Sequence, residues 1–225
     1  MRFYENALEG VKTLRMAVIC SIWLLVVSTL LLFSALFEVP AFIIILGIAA
    51  LVLCLAGLTL ELVGVSKASR DMAVFGSAKT VLILGLVLGA VSAIFRESSV
   101  PRLLLNVVIS IFSLWASVLI IQGLIAFAKF YSREDLTGDG QRLLRLVLIL
   151  GGLGVLFELL DAFLPTSGVS QTLRIILSVI ALVLGLCRHV MMLRYFSHVI
   201  AMLASAAPQE YGNVGKSGSG WDIGL

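Results

Sequence analysis

The sequence predicts an all-α polytopic membrane protein whose six transmembrane helices are arranged as three helical hairpins. Three observations lead there. Hydrophobic residues make up 60% of the chain and charged residues 13%, where a soluble domain carries about 25% charged residues. The apolar residues fall into runs of roughly 17 to 25, the length that crosses about 30 Å of hydrocarbon at about 1.5 Å per residue. The basic residues cluster at the ends of those runs instead of forming a continuous patch, which excludes a nucleic-acid surface and fits flanks of membrane spans. Backbone polar groups in lipid must pair within their own segment, so each run is expected to be a helix.

The six-helix domain covers residues 1–204 and a Gly/Ser-rich tail covers 205–225. The first span, 14–37, follows Arg2, Lys12 and Arg15; it is longer than the apolar core of a secretion signal and reads as an uncleaved helix. Pro40 marks a tight turn into the second span, 41–65. A polar connection through Lys67, Arg70 and Asp71 leads to a short third span, 80–95, with Lys79 and Arg96 snorkelling at its ends. The fourth span is 103–130, and the most polar loop, 131–142, follows it. The fifth is 143–164, and Pro165 begins the turn to the sixth, 172–194, which is expected to continue as an amphipathic helix towards Ser205.

Of the 16 Lys and Arg residues, only Arg96, Arg102 and Arg174 fall on the side opposite the N-terminus under this assignment. Basic residues in short loops are retained in the cytoplasm, so both termini are expected there, in a bacterial cytoplasmic membrane. Lys12, Lys79 and Arg142 each precede an odd-numbered span, and Lys67, Lys129 and Arg194 each end an even-numbered one, at a period of about 65 residues. An internal repeat of three hairpins accounts for that period, as do evenly sized loops.

Gly64-Val65-Ser66-Lys67-Ala68-Ser69-Arg70-Asp71, followed by Phe75-Gly76-Ser77-Ala78-Lys79 at the head of an apolar helix, resembles a pattern in small six-span membrane proteins of Gram-positive bacteria. The hairpin order also resembles the architecture of the acid-resistance membrane protein family. Neither resemblance implies a catalytic residue.

Ionisable residues inside a span are costly and are functional candidates by default. Glu61 and Arg188 each lie six residues before the base that ends their span, and Gln122 lies seven before its own. The three are therefore expected at one depth, as an ion pair with an amide nearby, as side chains snorkelling separately, or as a substrate or proton site. Glu158 and Asp161 share a helix face near the far end of the fifth span, with Arg174 across the turn as a clamp partner. Asp135-Leu136-Thr137-Gly138-Asp139-Gly140 begins like a calcium loop, but position twelve is Leu146 where a bidentate Glu is required, so a glycine-rich turn capping the fifth helix is expected. Gly85 and Gly89, and Gly151, Gly152 and Gly154, offer smooth strips for internal packing. Cys20, Cys54 and Cys187 read as buried small hydrophobes, and His189 and His198, nine residues apart, as interfacial polar residues off the spacing of a helical metal pair. In the tail, Trp221 and Leu225 are candidate anchors for a partner.

No nucleophile with its base, phosphate loop or metal cluster stands out, so the expectation is no enzyme, no metal and no cofactor. The leading expectation is a noncatalytic scaffold or accessory subunit, contacting lipid and other membrane subunits or copies of itself. Its alternative is a small transporter or channel with a polar site near Glu61, Gln122 and Arg188. A cavity reaching Glu61 would favour transport, and a closed bundle the scaffold.

Overall fold

A computed structural model describes residues 3–37, 39–95, 100–163 and 168–214. These form six helices: α1 (Phe3–Leu36), α2 (Pro40–Ala68), α3 (Ala73–Ser92), α4 (Val100–Phe130), α5 (Glu134–Phe163) and α6 (Gly168–Val214). All six are long and apolar enough to cross a membrane. The chain is thus an all-helical, multi-pass membrane protein, with no strand among the described residues. α1, α3 and α5 begin well before their expected apolar runs and α2 and α6 end after theirs, because the flanking polar residues remain good helix formers once a turn is nucleated, whereas α3 ends at Ser92, short of the expected 95. At 47 residues, α6 is the longest and extends through Val214, so the backbone of the first residues assigned to the tail is helical.

Each helix packs against its neighbours in the chain, and α6 returns to pack on α1, which closes a ring. The α1–α2 contact is the most extensive and α2–α3 the slightest; α5 lies against α4 more than against its hairpin partner α6. Lipid tails are as apolar as leucine, so no hydrophobic drive joins helices in a bilayer, and close packing must do so. Gly10 and Gly64 supply it. A Cβ on Gly10 would sit 2.8 Å from the Ala68 amide nitrogen and 2.8 Å from the Gly64 carbonyl oxygen, and one on Gly64 would sit 2.9 Å from the Gly10 carbonyl oxygen. The two backbones touch. The glycine strips expected from sequence are looser: Gly89, Gly152 and Gly154 face open space, Gly85 makes an ordinary contact with Phe112, and only Gly151 is filled, by a methyl of Leu114.

Buried apolar side chains are distributed unevenly along the helices. Among the described side chains, α1 contributes them only as far as Val18, α2 only Val65 and Ala68, α3 only Phe75 and Ala78. Further buried side chains come from α4 from Ala116 onward, from α5 only as far as Val147 and from α6 from Met192 to Leu203. All of these lie towards the end of the bundle that carries most of the basic residues, here the basic end. Phe75 is fully buried there, over Gly123 and 5.8 Å from the Phe127 ring. Gly140, inside α5, makes room for the Tyr195 hydroxyl. Towards the far end the helices turn large apolar side chains outward, as α2 does with Phe42, Ile45, Ile48 and Leu55. Cys54 and Cys187 are exposed and Cys20 is half-buried, contrary to the expectation of three buried thiols. In a single ring of helices much of each circumference faces outward, and a thiol is apolar enough to sit there.

The connections at the basic end are tightly specified. Lys67 pairs with Glu9 at 2.8 Å, and Lys79 donates to the Ser66 hydroxyl at 3.2 Å. Asp71 lies against Asn6 and the Ala7 amide, where a carboxylate favours the start of α1; partial burial nevertheless pushes its carboxyl up from the usual range. The polar loop expected over 131–142 contracts to three residues. α4 ends in a Schellman motif in which the Arg133 amide donates to the Ala128 carbonyl at 2.9 Å and the Ser132 amide to Lys129 at 3.0 Å. α5 then starts at Glu134, so the Asp135–Gly140 segment is helix and not a glycine-rich turn. Ser132 holds φ at 54°, a left-handed conformation that glycine adopts without penalty. Ser132→Gly is therefore expected to raise stability by about 1 kcal/mol, measured as the midpoint of unfolding in detergent. No change or a loss would mean that the serine side chain compensates for its backbone.

Candidate functional site

The side chains of Glu61 and Arg188 come to the same cavity although α2 and α6 lie on opposite sides of α1. The small residues Ala17 and Ser21 on the intervening face of α1 leave the room. This inner pocket, of about 100 Å³, is lined also by Ser113 and Ser117 of α4 and by His189. It is closed towards the basic end by Leu14, Ile120 and Phe196, part of the continuous core. A second, larger chamber of about 420 Å³ lies between α1, α4, α5 and α6. Its walls are largely apolar, with Leu25, Leu114, Leu150, Phe157, Leu177 and Leu184, and Gly154 and Gly185 widen it. Ser113, Arg188 and His189 line both spaces, so the chamber and the pocket meet at these side chains.

The polar groups at this junction differ in what they have left to offer. Ser21 and Ser117 donate to the carbonyls of Ala17 and Ser113 at 3.1 and 3.0 Å, which spends their hydroxyl protons and leaves acceptors. His189 Nδ1 lies 2.7 Å from the Gly185 carbonyl; a carbonyl only accepts, so Nδ1 carries a proton and Nε2 is the nitrogen free for other work. Arg188 Nε is buried without a hydrogen-bond partner. Glu61 and Arg188 are close enough to attract one another, yet no ion pair closes between them. Arg188 lines both spaces, but its unpartnered Nε is itself buried, so an acceptor entering from the cavities meets that donor only when the side chain turns.

Gln122, expected at the same depth, is on an exposed face of α4 and lines neither space. His189, expected at the interface, is half-buried and faces the cavities. Sequence gave no sign of Ser113, one of several serines in apolar runs. The side chains of Glu158, Asp161 and Arg174, and the whole of Trp221 and Leu225, lie outside what the structure describes. Among the described residues, no group of three or more His, Cys, Asp or Glu side chains gathers to hold a metal. No protein-family model matches the chain, and no curated protein and no solved structure is significantly similar to it.

Proposed function

We propose that the chain is a small transporter, with its solute site where Arg188, His189 and Glu61 meet the two cavities. The single observation that carries this reading is the void that reaches an intramembrane Arg and Glu. Charged groups inside a span destabilise it unless they serve a ligand, an ion or each other, and here they face space instead of closing on each other. A scaffold or accessory subunit, the other reading of the sequence, has no use for such a void. The orientation we assign puts the basic end in the cytoplasm of a bacterial cell, since basic short loops stay inside. The core of buried side chains is then an inner gate, and the chamber lies on the outer side of the site. The outward helix faces contact lipid, and no residue is assigned a catalytic role.

Alternating access gives a direct test. With Cys20, Cys54 and Cys187 replaced by serine or alanine, Ser113→Cys is exposed to a membrane-impermeant sulfonated thiosulfonate reagent, in right-side-out and in inverted vesicles. Labelling from both faces is expected, with Gly89→Cys, which faces open space on α3, unreactive from either. Labelling of position 113 from one face alone would reduce the site to a dead-end pocket and rule out transport through it.

A further inference from the structure

The chemistry of the chamber restricts what it accepts. Its walls are mainly leucine, phenylalanine, valine, alanine and glycine, interrupted by Ser110 and Ser113, and its floor is Arg188 and His189. A molecule with an apolar body and one polar end matches both parts. We infer that the chamber binds a single-chain organic monoanion, with its carboxylate on Arg188 and its alkyl or aryl body among the leucines. This rests on the transporter reading for its purpose but not for its geometry.

Three features select that class. The guanidinium is planar with donors in a fork, which matches a carboxylate, and Arg188 lines the chamber without a closed ion pair to Glu61. His189 Nε2 and the Ser113 hydroxyl stand beside it for the second carboxylate oxygen. Glu61, in the adjoining pocket, sets the charge limit: one arginine opposed by one carboxylate leaves a site that accommodates one negative charge better than two. The volume, about 420 Å³, lies within the roughly 300–1,000 Å³ of small-molecule sites. Gly154 lines the chamber and has no atom within 4 Å of where a Cβ would stand, so a side chain added there starts into open space.

Radiolabelled decanoate binding to the full-length protein in lipid nanodiscs, with empty nanodiscs subtracted, tests the inference. Saturable binding is expected, with decanol and decyl phosphate competing at least about tenfold more weakly than unlabelled decanoate. Arg188→Met is expected to weaken decanoate by about tenfold or more, the worth of a charge-assisted hydrogen bond, and Arg188→Lys by less. Gly154→Leu, which leaves Arg188 in place, is expected to weaken decanoate more than hexanoate; it keeps the question decidable if Arg188→Met does not fold. No saturable binding, equal competition by decanol, tighter binding of decyl phosphate, or indifference of chain-length preference to Gly154→Leu would each overturn it. Decanoate binding together with labelling of position 113 from one face only would sink the transporter reading and leave this one standing.

Discussion

Gly64→Val is expected to cost the folded state about 3 kcal/mol or more, enough to deplete the folded protein from the membrane. The cause is what surrounds the position: the Gly10 carbonyl oxygen and the Leu14 amide nitrogen lie 2.9 and 3.0 Å from a Cβ, and neither is the far end of a flexible side chain. The α1 and α2 backbones must separate, and with them the contacts of Ala7, Val11, Val65 and Ala68, all fully buried. Gly64→Ala should lose less, about 1 to 3 kcal/mol, because only one methyl has to be accommodated. Denaturant titration in detergent micelles reads both, and a graded loss from alanine to valine is the expected pattern. If valine is tolerated as well as alanine, the helices are not held at this distance.

Charge reversal at the polar junction should have an effect of similar size. Arg188→Glu places two carboxylates on one pocket; because Glu61 and Arg188 attract without a closed ion pair, the cost is expected at the lower end of the range of about 3–5 kcal/mol for breaking a buried pair, repulsion included. The swap Glu61→Arg with Arg188→Glu restores opposite charges to the same two helices and is expected to recover at least half of the lost stability. A swap no more stable than the single variant would show that the two residues do not sense each other. Lys67 and Glu9 make a useful contrast. Their contact is short, at 2.8 Å, but both side chains are substantially exposed, so Glu9→Gln is expected to change stability by less than about 1 kcal/mol.

What the sequence revealed and what it hid follow from what each signal measures. Length and polarity report position along the membrane normal, so the spans and the shared depth of Glu61 and Arg188 were legible from the distance of each to its terminal base. They carry no information about which side of a helix a residue occupies. Gln122 has the depth but stands about 140° round α4 from Ser117, at about 100° per residue, and so misses the cavity. His189 enters it because its neighbour Arg188 does. Gly10 and Gly64 were hidden for another reason: each is a single glycine, and the motif they form exists only once the two helices cross. The glycine-rich stretch 138–140 misled because a helix interior disfavours glycine by roughly 1 kcal/mol, and the sequence does not show that the Tyr195 side chain leaves no room for a Cβ at Gly140.

The uneven packing of the bundle has a mechanical consequence. Among the described side chains, the helices are clamped at one end and less filled at the other, the arrangement of a cantilever. A tilt of roughly 10° about the clamp carries a far end about 5 Å sideways over the thickness of the hydrocarbon. Stiffness would then be graded across the bilayer, so that thinning or bending the leaflet around the free ends changes the width of the chamber while the base holds its shape.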